Sequence, residues 1–424
     1  MHKIERLLQT LAPKGVEFKT LEEVFEIKNG YTPSKNNPEF WEKGTIPWFR
    51  MEDIRENGRI LKDSIQHITP KALKGKKLFP KNSIIISTTA TIGEHALLIV
   101  DSLANQRFTF LSKKANCGIA LDMKFFFYQC FLLGEWCKKN TNVSGFASVD
   151  MTAFKKYKFP IPPLEIQQEI VKILDAFTEL NTELNTELKA RKKQYEYYQN
   201  MLLDFNDINQ NHKDAKEKLA QKTYPKRLKT LLQTLAPKGV EFRKLGEVCD
   251  FQKGKSITKK AVTLGKVPVI SGGRQPAYYH NEANRSGETI AISSSGVYAG
   301  YVSYWDIPVF LADSFSVSPK QKTLMPKYLF HYLTTQQDAI HATKSTGGIP
   351  HVYSKDLQNF LIPIPPLEIQ QEIVKILDQF SILTTDLLAG IPAEIEARKK
   401  QYEYYREKLL TFKPLTPHKE VKKC

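Results

Sequence analysis

The chain has 424 residues, enough for two or three cored domains, and its 41% hydrophobic and 25% charged residues make an ordinary globular balance. Its net charge of +17 and pI near 9.4 are not ordinary and point to a polyanionic partner, nucleic acid before membrane. The longest charge-free apolar run, Phe125–Gly134, is about half of a bilayer span, and MHKIERLLQTLAPKG at the start lacks the apolar core of a signal peptide.

Five cysteines without a CxxC, and without a His at ligand spacing, read as reduced thiols of a cytoplasmic protein. In chain order, a helix at His2–Leu11 stops before Pro13 and Gly15. LEEVFEIKNG follows at Leu21–Gly30. IIISTTATIG at Ile84–Gly93 has the β-branched run of a buried strand and ends in a hydroxyl-rich turn. Next come LANQRF at Leu103–Phe108, a helix over Asp122–Lys138 and the loop NVSGFAS at Asn142–Ser148. IPPLEIQQEIVKILD at Ile161–Asp175 then opens a long helix on Pro-Pro, a pair tolerated only at a helix start.

Each landmark returns once. LLQTLAPKGVEF occupies both Leu7–Phe18 and Leu231–Phe242, and LGEVCDFQKG at Leu245–Gly254 answers the first strand. IAISSSGVYAG at Ile290–Gly300, LADSF at Leu311–Phe315, a helix over Pro326–Ala342 and STGGIPH at Ser345–His351 follow in the same order. The fifteen letters of the long-helix start recur at Ile364–Asp378, and ARKKQYEYY stands at Ala190–Tyr198 and Ala397–Tyr405. The chain is a tandem duplication.

The expected fold class is α/β (mixed α+β), with two globular domains separated by two long antiparallel coiled-coil helices in pseudo-twofold duplication. The boundaries read 1–160, helix 161–204, linker 205–228, 229–362, helix 363–412 and basic tail 413–424. The helix seams are Ile166, Ile170, Ile173, Phe177, Leu180 and Leu184, answered by Ile369, Ile373, Ile376, Phe380, Leu383 and Leu387. Inside the first helix, Thr178–Leu188 reads TELNTELNTEL, a four-residue unit worth about 6 Å of helix. The second helix is interrupted by Gly390 and Pro392, where a break is expected. Tyr31–Pro80 and Lys255–Glu288 scarcely align, which suits two surfaces reading different targets.

Catalytic motifs are missing from the sequence. GKS at Gly254–Ser256 lacks the leading glycine of a phosphate loop, since Cys249 stands there. No NPPY-type motif, HExxH or His/Cys cluster appears, and Asp53, Asp101 and Asp313 are isolated carboxylates. The side-chain types suited to base edges are Arg50, Gln106, Arg107, Arg274 and Gln275. Those suited to phosphates or turn-borne contacts are Lys28, Asn29, Thr88, Thr89, Ser144, Ser294, Ser295, Ser345 and Thr346. For a partner protein the candidates are Leu174 and Leu377 outside the seam, with Tyr195, Tyr198, Tyr402 and Tyr405; the tyrosines fit equally well inside the helix pair.

The doubled PPLEIQQEIVKIL helix, preceded by FPI or IPI, and the order domain–helix–domain–helix resemble the specificity subunit of a type I restriction-modification system. The resemblance covers nearly the whole chain. It implies a non-catalytic protein whose two target-recognition domains each read half of a split double-stranded DNA site. Its paired helices act as a ruler and dock methyltransferase subunits, two by the family pattern. S-adenosylmethionine would enter with those subunits, and ATP with Mg with restriction/motor subunits; none is expected on this chain. No base-reading residue carries over. A stand-alone sequence-specific DNA-binding protein and a protein scaffold are the competing classes.

Overall fold

A computed structural model of the chain describes residues 2–142, 147–210, 214–320, 322–345, 348–384 and 390–415. It divides into two compact units, Met1–Glu183 with Ala397–Cys424, and Leu184–Glu396.

In unit 1, α1 (His2–Leu11) leads to β1 (Glu17–Thr20), the short α2 (Leu21–Val24) and β2 (Phe25–Asn29). Then follow β3 (Ile46–Phe49), α3 (Met51–Asn57), β4 (Ile60–Leu61), β5 (His67–Ile68), β6 (Ser83–Ser87), β7 (His95–Leu98), β8 (Leu103–Ala104) and β9 (Phe108–Lys113). One sheet has the order β2-β9-β6-β7-β4 and a smaller one β5-β3-β8, in which β3 and β8 run parallel. The continuous apolar run of β6 follows from burial on both faces. Ile84 and Ile86 pack towards α4 (Met123–Lys139), whereas Ile85 packs with Phe49, Phe108 and Phe110. Asp122 caps α4, accepting from the Lys124 and Phe125 amides at 2.7 and 3.2 Å. The minor pair β10 (Thr141–Asn142) and β11 (Ser148–Val149), the short α5 (Met151–Lys155) and β12 (Lys158–Ile161) complete the globular part, β12 lying antiparallel to β1.

The next helix, α6 (Leu164–Leu203), is unbroken for 40 residues, TELN units included, and its first half belongs to unit 1. Unit 2 takes its second half, then α7 (Ala215–Gln221), α8 (Lys226–Leu235), β13 (Glu241–Lys244), the short α9 (Leu245–Val248) and β14 (Cys249–Lys253). Its remaining strands are β15 (Leu264–Ile270), β16 (Tyr278–His280), β17 (Thr289–Ser293), β18 (Val302–Trp305), β19 (Phe310–Leu311) and β20 (Ser314–Pro319). They form sheets β14-β20-β17-β18 and β16-β15-β19, with β15 parallel to β19. This is the plan of unit 1 without its outermost strand. It holds through Lys255–Glu288, where the sequences scarcely align. The helix expected at Pro326–Ala342 divides into α10 (Pro326–Thr335) and α11 (Gln337–Ala342). After α12 (Ser354–Leu357), β21 (Leu361–Ile364) pairs with β13.

The expected linker is built into unit 2: Phe205, Ile208, Leu219 and Tyr224 are buried in its core, so few apolar residues suffice to fold a polar stretch. The long helices close each unit in the same way. In unit 1 the end of α14 (Gly390–Leu410) returns, and Phe177 stacks on Tyr405 at 5.7 Å and lies 6.2 Å from Tyr402. In unit 2, Phe380 of α13 (Leu367–Thr384) stacks on Tyr198 at 5.0 Å. These phenylalanines meet the returning helix, while Ile166, Ile170, Ile369 and Ile373 are buried in the globular cores of their units. Residues 385–389, Leu387 among them, which lead up to the break expected near Gly390, lie outside the described residues. Pro392 sits in the first turn of α14, where its missing N–H costs nothing.

Candidate nucleic-acid interface

The same backbone hydrogen bonds hold the loops of both units. Gly30 N–H donates to Phe108 O at 2.9 Å, and Gly254 N–H to Ser314 O at 2.8 Å. Asn105 N–H donates to Phe49 O at 3.1 Å, and Ala312 N–H to Ile270 O at 2.7 Å. Thr88 N–H donates to Arg107 O at 3.2 Å, and Ser294 N–H to Asp313 O at 2.9 Å. Val149 N–H reaches Thr88 O at 2.9 Å and Val352 N–H reaches Ser294 O at 3.0 Å. The hydroxyl turns are thus stitched to the loops matched with them in the sequence. Thr89 bridges Ser148, and Ser295 bridges His351.

In unit 1 these loops frame a cleft of about 320 Å³, into which Arg50, Gln106 and Arg107 all open, beside Lys35, Arg55, Ser87 and Thr91. Arg50 follows β3. Its amide donates to Asp53 Oδ2 at 2.6 Å, fixing the turn, and its guanidinium lies 5.9 Å from the Trp48 ring centroid. Its Nε is enclosed without a hydrogen-bond partner among the described residues, the Glu52 carboxylate standing 3.9 Å away. Gln106 accepts from the Thr32 hydroxyl, and the Arg107 side chain is exposed. Lys35, Trp48, Arg55 and Thr91 are members that sequence reasoning missed. A basic residue in an unmatched segment gave no signal.

The other described unit 1 candidates sit outside this cleft. Thr88 is buried, its hydroxyl 3.1 Å from that of Thr109, which donates to Asn29 Oδ1 at 3.1 Å. Lys28 is ion-paired with Glu26 on the outer strand β2. Ser144 lies outside the described residues.

In unit 2, Arg274 is exposed and stacks over Tyr298 and Tyr301 at 5.0 and 5.7 Å, with Gln275 exposed beside it. Ser294 and Ser295 are half-buried in the hydroxyl turn, and the Ser345 hydroxyl accepts from the His351 amide at 3.2 Å. Thr346 lies outside the described residues. Asp313 is exposed and accepts from Ser271 Oγ at 3.0 Å and Ser256 Oγ at 3.4 Å. Gly254 of the GKS stretch serves a close strand approach instead, since a Cβ there would lie 2.5 Å from Ala312 O.

The partner-protein candidates need correction. Leu174 and Leu377 are fully buried, because each faces the core of its own unit. Tyr195, Tyr198, Tyr402 and Tyr405 are partly buried against the same cores, leaving Tyr197 and Tyr404, 62% and 60% exposed, as the outward tyrosines of the two ARKKQYEYY blocks. Among the described residues no helix is long and apolar enough to cross a membrane, and no group of three His, Cys, Asp or Glu is placed to hold a metal ion.

A family model described as the type I restriction modification DNA specificity domain matches the chain twice, over residues 13–193 and 237–397. The chain belongs to this family. It is 40% identical to the EcoprrI type I restriction enzyme specificity subunit of Escherichia coli over 402 residues, covering 91% of this chain and 93% of that one. With the EcoR124I/EcoR124II specificity subunit of the same organism it shares 32% over 313 residues, 65% and 70% of the two chains. The crystal structure of the type I restriction-modification S subunit from M. genitalium matches 93% of this chain and 95% of its own at a TM-score of 0.55 and 18% identity, a likeness of fold.

Proposed function

We propose that this chain is the DNA sequence-recognition subunit of a type I restriction-modification complex, each unit reading one half of a bipartite duplex site. The observation that carries this reading is the family domain present twice, on one scaffold, with different side chains in equivalent loops. The long helices set the gap between half-sites, and their outward faces, with Tyr197 and Tyr404 at matching repeat positions, dock two methyltransferase subunits. The subunit itself is non-catalytic and works in the cytoplasm. S-adenosylmethionine arrives with the methyltransferase, and ATP with Mg with the restriction/motor subunits.

Selection from random duplex DNA, with the chain alone and with its methyltransferase, tests this. Two short defined sequences around a fixed gap are expected. A contiguous site selected by the chain alone would make it a stand-alone DNA-binding protein, and no site with either preparation would return it to the scaffold class.

A further inference from the structure

The matched hydrogen bonds make the two units comparable residue by residue where letter matching does not. Phe49 and Ile270 accept equivalent bonds, so Arg50 and Ser271 are the next residues at the same place in the scaffold. Arg107 and Asp313 accept equivalent bonds from Thr88 and Ser294, so they too share a place. Both places adjoin the hydroxyl turn. In unit 1 they hold two arginines opening into one cleft. In unit 2 they hold a serine and an exposed aspartate, joined at 3.0 Å, with Ser256 as a second hydroxyl on the carboxylate. The charge at one scaffold position is inverted between the units.

An aspartate facing a polyanion is repelled by phosphate, and among major-groove groups it matches only the exposed amino groups of the bases, cytosine N4 and adenine N6. Guanidinium groups at the same position match the paired acceptors of guanine, O6 and N7. The serine hydroxyls hold the carboxylate oriented, as Trp48 and Asp53 hold Arg50. We infer that this shared pair of positions determines base specificity in each half-site: Arg50 and Arg107 select guanine in one half, and Asp313, held by Ser271, selects an amino-bearing base, adenine or cytosine, in the other. The inference rests on the DNA-reading function above and assigns the chemistry of each reader.

The test is site selection on random duplex DNA by the full chain with its methyltransferase, comparing wild type, Arg107→Gln and Asp313→Ala. Arg107→Gln is expected to relax one guanine position in one half-site, roughly ten- to a hundredfold, and leave the other half untouched. Asp313→Ala removes the acceptor altogether and is expected to relax one adenine or cytosine position in the opposite half. The unaffected half in each variant is the internal control for folding. Both variants acting in one half, weakening all sequences alike, or leaving the profile unchanged would overturn the assignment while the two-part reading stands. A wild type that selects no two-part site overturns that reading first, and this inference with it.

Discussion

Gly30 and Gly254 have no side chain because there is no room for one. A Cβ at Gly30 would lie 2.3 Å from the carbonyl oxygens of Ala104 and Asn105, where the two sheets of unit 1 meet beside the arginine cleft. Gly30→Ala and Gly254→Ala should each cost about 1–3 kcal/mol of stability, read by denaturant unfolding. Unchanged unfolding would mean that the sheets separate easily. His95 is a second residue set by its surroundings. Burial, with the Arg59 charge close by, lowers its pKa from 6.5 to about 3, and the ring packs edge-on against Phe131. The folded pKa lies below the unfolded one, so the neutral ring's contribution is fully present above pH 6.5 and is lost as pH falls from there towards 3. Melting temperature should therefore drop on acidification below pH 6.5, and His95→Gln should flatten that slope. Parallel slopes for the two proteins would contradict the assignment. Arg285, unlike Arg50 or Arg107, is a structural arginine, donating to Ser316 Oγ and to the carbonyls of Asn284, Gln252 and Lys253. A sequence shows all three as the same letter.

At the scale of elements, the repeated IQQE of the long helices has a specific cause. Gln167 is buried at the helix start, where its amide donates to Ala120 O and Pro162 O at 2.9 and 2.7 Å and its oxygen accepts from Asp122 N–H at 2.8 Å. Gln370 repeats the set with Thr323 O, Pro365 O and Met325 N–H. The shared aspartate adds a second clasp, Asp175 with Lys124 and Tyr128, and Asp378 with Lys327 and His331. Helix and globular part are thereby one piece. Gln167→Ala strands buried backbone groups and should cost about 2 kcal/mol or more, seen as a lower unfolding midpoint. A neutral result would place the clasp elsewhere. The repeats, strand cores and helix starts were legible because duplication and periodicity mark them. Leu174 was not: its spacing put it off the seam, yet a helix packed on two sides buries residues outside a single stripe. Nor was the matching of these loops, since LANQRF and LADSF align by letters one residue away from where the hydrogen bonds place them, Phe108 opposite Ser314.

For the whole molecule, the charge of +17 and the duplication belong to one account. On the proposed function, cationic residues supply salt-sensitive affinity for any duplex, and the loops of each unit supply preference. Affinity should fall steeply between 50 and 200 mM salt, while the ratio of selected to random DNA persists; a ratio collapsing to one would leave only non-specific attraction. Spacing is the remaining property, and α6 carries it without interruption through TELNTELNTEL. The most direct measurement is parallel site selection with the wild-type chain and a chain carrying one additional TELN unit, each with its methyltransferase. Each unit adds about 6 Å of helix. The account requires the same two half-sequences from both proteins, with a longer gap for the lengthened helix. Half-sequences that change with the insertion, or a gap that stays the same, would contradict it.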